Sequence, residues 1–189
     1  PWSMTTIIGT AAVSGNQVLA TSDDVKPELE LEDYRLLYKK LYALSVEFNK
    51  SMVLLSEKPS IMANGEINLD GNNTYGIIVD DNSYELLILA DSGKISGLDI
   101  LDAKFCNGDV VEATLKKVDI ETGLGIYAVK LSDISDTTQK EYTYSALGSS
   151  LSTVLNGTPV VAVGNPLGNG SSVCYGAVTS TDIIAERTD

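Results

Sequence analysis

The spacing of hydrophobic and polar positions changes once along this chain, from a helical period to short strand-like runs. Between Pro27 and Asn49 the apolar residues Tyr34, Leu37, Leu41, Leu44 and Phe48 recur at steps of three and four, the period that returns side chains to one face of an α-helix. Pro27 suits a first helical turn, where its missing N–H costs nothing, and Glu28, Glu30, Glu32 and Asp33 follow near the positive end of the helix dipole. The pattern therefore predicts a helix over 27–49. Its rhythm is that of coiled-coil a and d positions. It fits either a helix laid on the protein's own core or one that associates with a second copy.

From Ser51 the texture becomes short β-type runs: SMVLLSE, TYGIIVD, YELLILA, ILDAKF, VVEATLKKV, GLGIYAVKL, TPVVAVG and SVCYGAVTS. Turn chemistry separates them, with Asn64-Gly65, the stretch from Asp80 to Ser83, and Asn107-Gly108 each suited to a tight reversal. The polar stretch SDISDTTQKE, 132–141, reads as a linker. The chain then divides into an N-terminal extension (1–26), the helix (27–49), a first β-barrel (51–131), the linker, and the start of a second barrel (142–189). Too few strand residues follow position 142 for a self-sufficient barrel, so a continuation or another chain is expected to complete it.

Composition narrows the chemistry. Twenty-six acidic residues against 13 basic ones give a net charge of −13, which repels phosphate backbones and anionic headgroups, so no nucleic-acid partner is expected. Histidine is absent altogether, removing the commonest general base and metal ligand; no metal and no cofactor are expected. Cys106 and Cys174 lack the spacing of a zinc site and read as small buried hydrophobes. No apolar run is long enough to span a membrane.

The stretch VVAVGNPLGNGSSVCYGAVTSTD, 160–182, resembles a phosphate loop at first glance. Gly164, Gly168 and Gly170 do not reproduce Gly-x-Gly-x-x-Gly, and no Gly-Lys-Ser/Thr follows. The glycines, with Pro166 fixing one φ, fit a tight connection between two strands.

Three stretches together resemble a known family: YGIIVDDNSYELLILADSGKI (75–95), FCNGDVVEATLKKVDIETGLGIYAVKL (105–131) and LGSSLSTVLNGTPVVAVGNPLGNGSSVCYGAVTSTD (147–182). Over roughly Ser51 to Thr181 the chain resembles the first half, and the start of the second, of an HtrA/DegP-like member of the trypsin-like serine proteases. The third stretch, with its Gly-Asn-Pro-x-Gly core, is the most specific. The resemblance implies a mainly β, chymotrypsin-like fold of two six-stranded antiparallel β-barrels behind an N-terminal helix, the second barrel incomplete in this chain. It also implies a bacterial, extracytoplasmic setting, with membrane anchoring through a segment outside this chain.

In that family a serine hydroxyl is activated by an imidazole that a carboxylate orients. Carried onto this chain, the histidine position falls on Ala90 and the aspartate position on Gly123, and the Gly-x-Ser-Gly-Gly nucleophile motif is absent. Asp91, Asp119 and Glu121 lie nearby, but a carboxylate with a pKa near 4 is a poor base for a serine hydroxyl. Lys94 and Lys104 are the conceivable lysine bases, in polar surroundings where lysine stays protonated. The expectation is a catalytically inactive protease homologue that binds a peptide or protein. The alternatives are an active endopeptidase completed by further C-terminal residues, and a self-associating stalk module acting through the helix 27–49.

Overall fold

A computed structural model describes residues 7–9, 30–61, 67–68, 71–148, 156–164 and 172–180. Its elements in chain order are β1 (Ile7–Gly9), α1 (Leu31–Asn49), β2 (Met52–Ser56), β3 (Ser60–Ile61), β4 (Ile67–Asn68), β5 (Asn73–Asp81), β6 (Glu85–Asp91), β7 (Ile100–Lys104), β8 (Val110–Val118), β9 (Leu124–Lys130), α2 (Asp136–Glu141), β10 (Pro159–Gly164) and β11 (Ser172–Ala177). Each of the β-type runs of the sequence overlaps one of these strands.

Six strands close into an antiparallel barrel in the order β2-β5-β6-β9-β8-β7. Alternation along the strands decides what fills it: Leu86, Ile88 and Ala90 of β6, and Tyr127 and Val129 of β9, point inward and pack with Val53, Leu55, Ile78 and Leu101. Burying one such aliphatic side chain fully is worth about 1.5–3 kcal/mol. Asn107-Gly108 makes the β7–β8 reversal with Gly108 at φ 94°, and the Asn107 carboxamide oxygen accepts from the Asp109 N–H at 3.0 Å. Between β5 and β6, Ser83 takes φ 73° while Asn82 Oδ1 accepts from the N–H groups of Tyr84 and Glu85. The expected Asn64-Gly65 turn lies outside the described residues.

The helix is described from Leu31, not Pro27, with Glu30 as its N-cap in a reciprocal capping box with Asp33. Residues 27–29 lie outside the described ones. Leu41, Leu44 and Phe48 settle onto the barrel's outer face against Met52, Ile77 and Leu89, and against Val161, Val163, Val173 and Tyr175 of β10 and β11. Over those residues the helix covers its own protein's core. Tyr34 and Leu37, at the start of the same stripe, remain exposed.

Beyond residue 142 the described strands form a three-stranded sheet, β1-β10-β11. Its third strand comes from the N-terminal extension: Ile7, Ile8 and Gly9 pair with Val163, Ala162 and Val161. The 132–141 stretch expected as a linker is folded onto the barrel. Ile134 enters the barrel core, and Ser135 caps α2 by accepting from the Thr138 N–H at 3.2 Å. Asp109 joins this capped turn to the β7–β8 hairpin, accepting from Ser135 Oγ at 2.6 Å and from Thr138 Oγ1.

The two cysteines correct the expectation of burial: both are exposed. Cys106 opens the tight turn after β7, where side chains point away from the barrel, and Cys174 lies on the outward side of β11.

Candidate functional site

The end of β6 and the turn before β9 bring the two positions of interest to one region of the barrel. Ala90 pairs with Gly125 of β9 on one side and with Gly76 of β5 on the other. Its methyl group points into the barrel and is 2% exposed. A β-carbon at Gly76 would sit 3.2 Å from that of Ala90 and 2.5 Å from Ile88 Cγ2, so the interior is closed around position 90. A larger side chain there would meet core, not a cleft.

Gly123 is held in a different way. It ends the β8–β9 turn at φ 71°, with its N–H donating to the Asp119 carbonyl at 2.8 Å. Asp119 organises the turn from below, accepting from the Glu121 N–H and the Thr122 hydroxyl. At this φ an L side chain is strained by about 1–2 kcal/mol, which accounts locally for a glycine.

The residue that meets Gly123 is Ser92, two positions beyond Ala90. Both the Ser92 N–H and its hydroxyl donate to the Gly123 carbonyl oxygen, each at 2.8 Å, and Ser92 is 5% exposed. A hydroxyl proton directed at a backbone carbonyl has no base to receive it. Asp91 Oδ1 accepts from the Gly93 N–H at 2.8 Å, beginning a short 3-10 turn, Gly93–Ile95. Lys94 in that turn and Lys104 at the end of β7 are exposed.

Tyr127 was not foreseen. A β-carbon on Gly125 would lie 3.0 Å from its ring and 3.4 Å from Ser92 Cβ, so the phenol occupies the space that Gly125 leaves beside Ser92. The side chain is 0% exposed, and its hydroxyl has no hydrogen-bond partner among the described residues. Burial, with the Asp91 carboxylate adding to it, pushes the Tyr127 phenol up. Register could have located Ser92, since Ala90 opposite Gly125 places residue 92 opposite residue 123; nothing in the sequence marks the orphan hydroxyl.

Among the described residues no group of three or more His, Cys, Asp or Glu side chains is placed to hold a metal ion. None of their helices is long and apolar enough to cross a membrane. Of the glycine-rich run, Gly164 ends β10 and Gly176 lies in β11, while Pro166, Gly168 and Gly170 fall outside the described residues. Fold and site together define a mainly β protein with a closed six-strand barrel, an N-terminal helix, and a serine hydrogen-bonded to a glycine carbonyl near one end of that barrel. No protein-family model matches this chain, and neither does any curated protein.

Proposed function

We propose that this chain is a catalytically silent relative of the trypsin-like serine proteases, with residues 142–189 belonging to a second barrel, that binds an extended peptide or protein segment. The observation that carries the reading is the contact between Ser92 and Gly123: near the barrel end where the resemblance puts a proton-transfer pair, a serine bonds a main-chain carbonyl at 2.8 Å. The closed barrel, the strand ending near Ala90 and the turn at Gly123 agree with that resemblance.

Binding is supported by the second sheet. β11 pairs with β10 alone among the described strands, and its sequence SVCYGA carries no charge and no proline. Charge and proline are the usual protection of a free edge, and an edge without them accepts an added strand. An unfolded protein substrate tests both halves of the proposal. Saturable binding without fragments is expected. Fragments whose release stops with a serine-directed inhibitor would overturn it.

A further inference from the structure

The helix carries more apolar surface than the other described residues cover. At about 100° per residue, Leu41, Leu44 and Phe48 share the face turned to the barrel and the second sheet. Leu31, Tyr38, Tyr42 and Val46 form a second stripe, rotated by roughly 120° from the first. They are 67%, 40%, 63% and 41% exposed. One apolar stripe is enough to seat a helix on a core, and contiguous exposed apolar surface marks an interaction site. Tyr34, at the start of the first stripe, joins the two, its hydroxyl donating to that of Tyr38 at 2.9 Å.

Charge indicates what covers this surface. The whole chain carries −13, so two copies repel over most of their surfaces. Residues 30–50 are the exception: Glu30, Glu32, Asp33 and Glu47 are balanced by Arg35, Lys39, Lys40 and Lys50. The apolar stripe therefore lies on a locally neutral element. Parallel pairing would set the acidic first turns of two copies side by side. Antiparallel pairing separates them, brings the Glu30 end of one helix to the Lys50 end of the other, and opposes the two helix dipoles.

We infer that α1 is the contact surface for a second copy of this chain, the two helices antiparallel about a twofold axis between Tyr38 and Tyr42. In this arrangement Tyr38 lies against the partner's Tyr42. The stripe is self-complementary, as an isologous contact requires. The surface is separate from Ser92 and Gly123 and touches β11 where the Tyr38 ring meets that of Tyr175, centroids 5.3 Å apart; peptide binding is read on its own, so a failed pairing would leave the proposed function standing.

Sedimentation equilibrium of the whole chain over a wide concentration range tests the pairing. The chain is expected to double in mass, and Tyr42→Glu is expected to weaken the dimer more than about tenfold with unchanged circular dichroism. Val46→Lys, at another exposed position, should act in the same direction. In the dimer, spin labels at Leu31→Cys, with Cys106 and Cys174 replaced by Ser, are expected about 27 Å apart along the helix axes at 1.5 Å per residue. A wild-type monomer at every concentration would overturn the inference, as would a dimer indifferent to both substitutions or labels side by side.

Discussion

The Ser92 hydroxyl donates to the carbonyl oxygen of Gly123 at 2.8 Å, and the Ser92 N–H reaches the same oxygen at the same distance. The β6 end and the β8–β9 turn are thereby locked together, with the Ser92 hydroxyl directed at a main-chain carbonyl and not at a base.

Introducing the catalytic residues of the proposed family should therefore confer no chemistry. Histidine at position 90 is forced into a closed interior, at a cost of about 1–3 kcal/mol. Aspartate at position 123 adopts a left-handed φ, at a cost of about 1–2 kcal/mol. The variant Ala90→His/Gly123→Asp is expected to unfold at lower denaturant than wild type and to hydrolyse no peptide ester. A double variant as stable as wild type would show that position 90 faces a cleft.

Tyr127→Phe should stabilise the protein. The hydroxyl is buried without a partner among the described residues, and such a group costs about 1–3 kcal/mol. Urea unfolding should show a midpoint at or above that of wild type with the same slope. A clear fall in the midpoint would mean that the hydroxyl has a bound partner in solution.

Asp81 and Tyr144 report on pH. Tyr144 donates to Asp81 Oδ2 at 2.6 Å. That bond, helped by the Ser83 N–H, holds the Asp81 carboxyl below the usual carboxylate range. The same bond is the chief cause that pushes the Tyr144 phenol up. A carboxylate with a lowered folded pKa contributes stability above its unfolded value, near 4, and loses it as pH falls through the folded value. A phenol with a raised folded pKa contributes stability below its unfolded value, near 10, and loses it as pH rises through the folded value. The stability gap between wild type and Tyr144→Phe should therefore be flat between about pH 4 and 10 and close beyond both ends. Thermal melts across pH check this; a gap that closes near neutrality contradicts it.

The Ser135 cap should matter although it lies in a stretch that reads as a polar linker. Ser135→Ala removes the α2 N-cap, at a cost of about 1 kcal/mol, and one of the hydrogen bonds that hold the Asp109 carboxyl below its ordinary range. Amide exchange at Thr138 is expected to quicken, together with that of the β7–β8 hairpin that Asp109 joins to α2. Faster exchange confined to α2 would mean that the Asp109 link carries no coupling.

The barrel was legible because local signals agreed with it. Apolar runs alternate, and Asn107-Gly108 and the stretch from Asp80 to Ser83 reverse the chain where the strands end. What escaped depends on partners distant in sequence. Ile7–Gly9 is three residues long and becomes a strand only because β10 offers an edge. Ile134 is a lone apolar residue among polar ones, and its burial follows from the barrel surface beneath it. Cys106 and Cys174 have apolar chemistry, but a turn and an outward strand position decide their exposure. At the candidate site, Ala90 and Gly123 follow from aligned motifs alone, whereas the inward direction of Ala90 and the contact of Ser92 with Gly123 required the strand register.

The most direct measurement is labelling of the intact chain with a fluorophosphonate, read by mass spectrometry. The Ser92 hydroxyl donates to the Gly123 carbonyl, and the carboxylate that Ser135 meets, Asp109, is held below the ordinary carboxylate range and is a poor base, so the expected mass is that of the unmodified chain, identical to a heat-denatured control. Stoichiometric addition of one phosphonate to one serine, abolished by denaturation, would contradict the account.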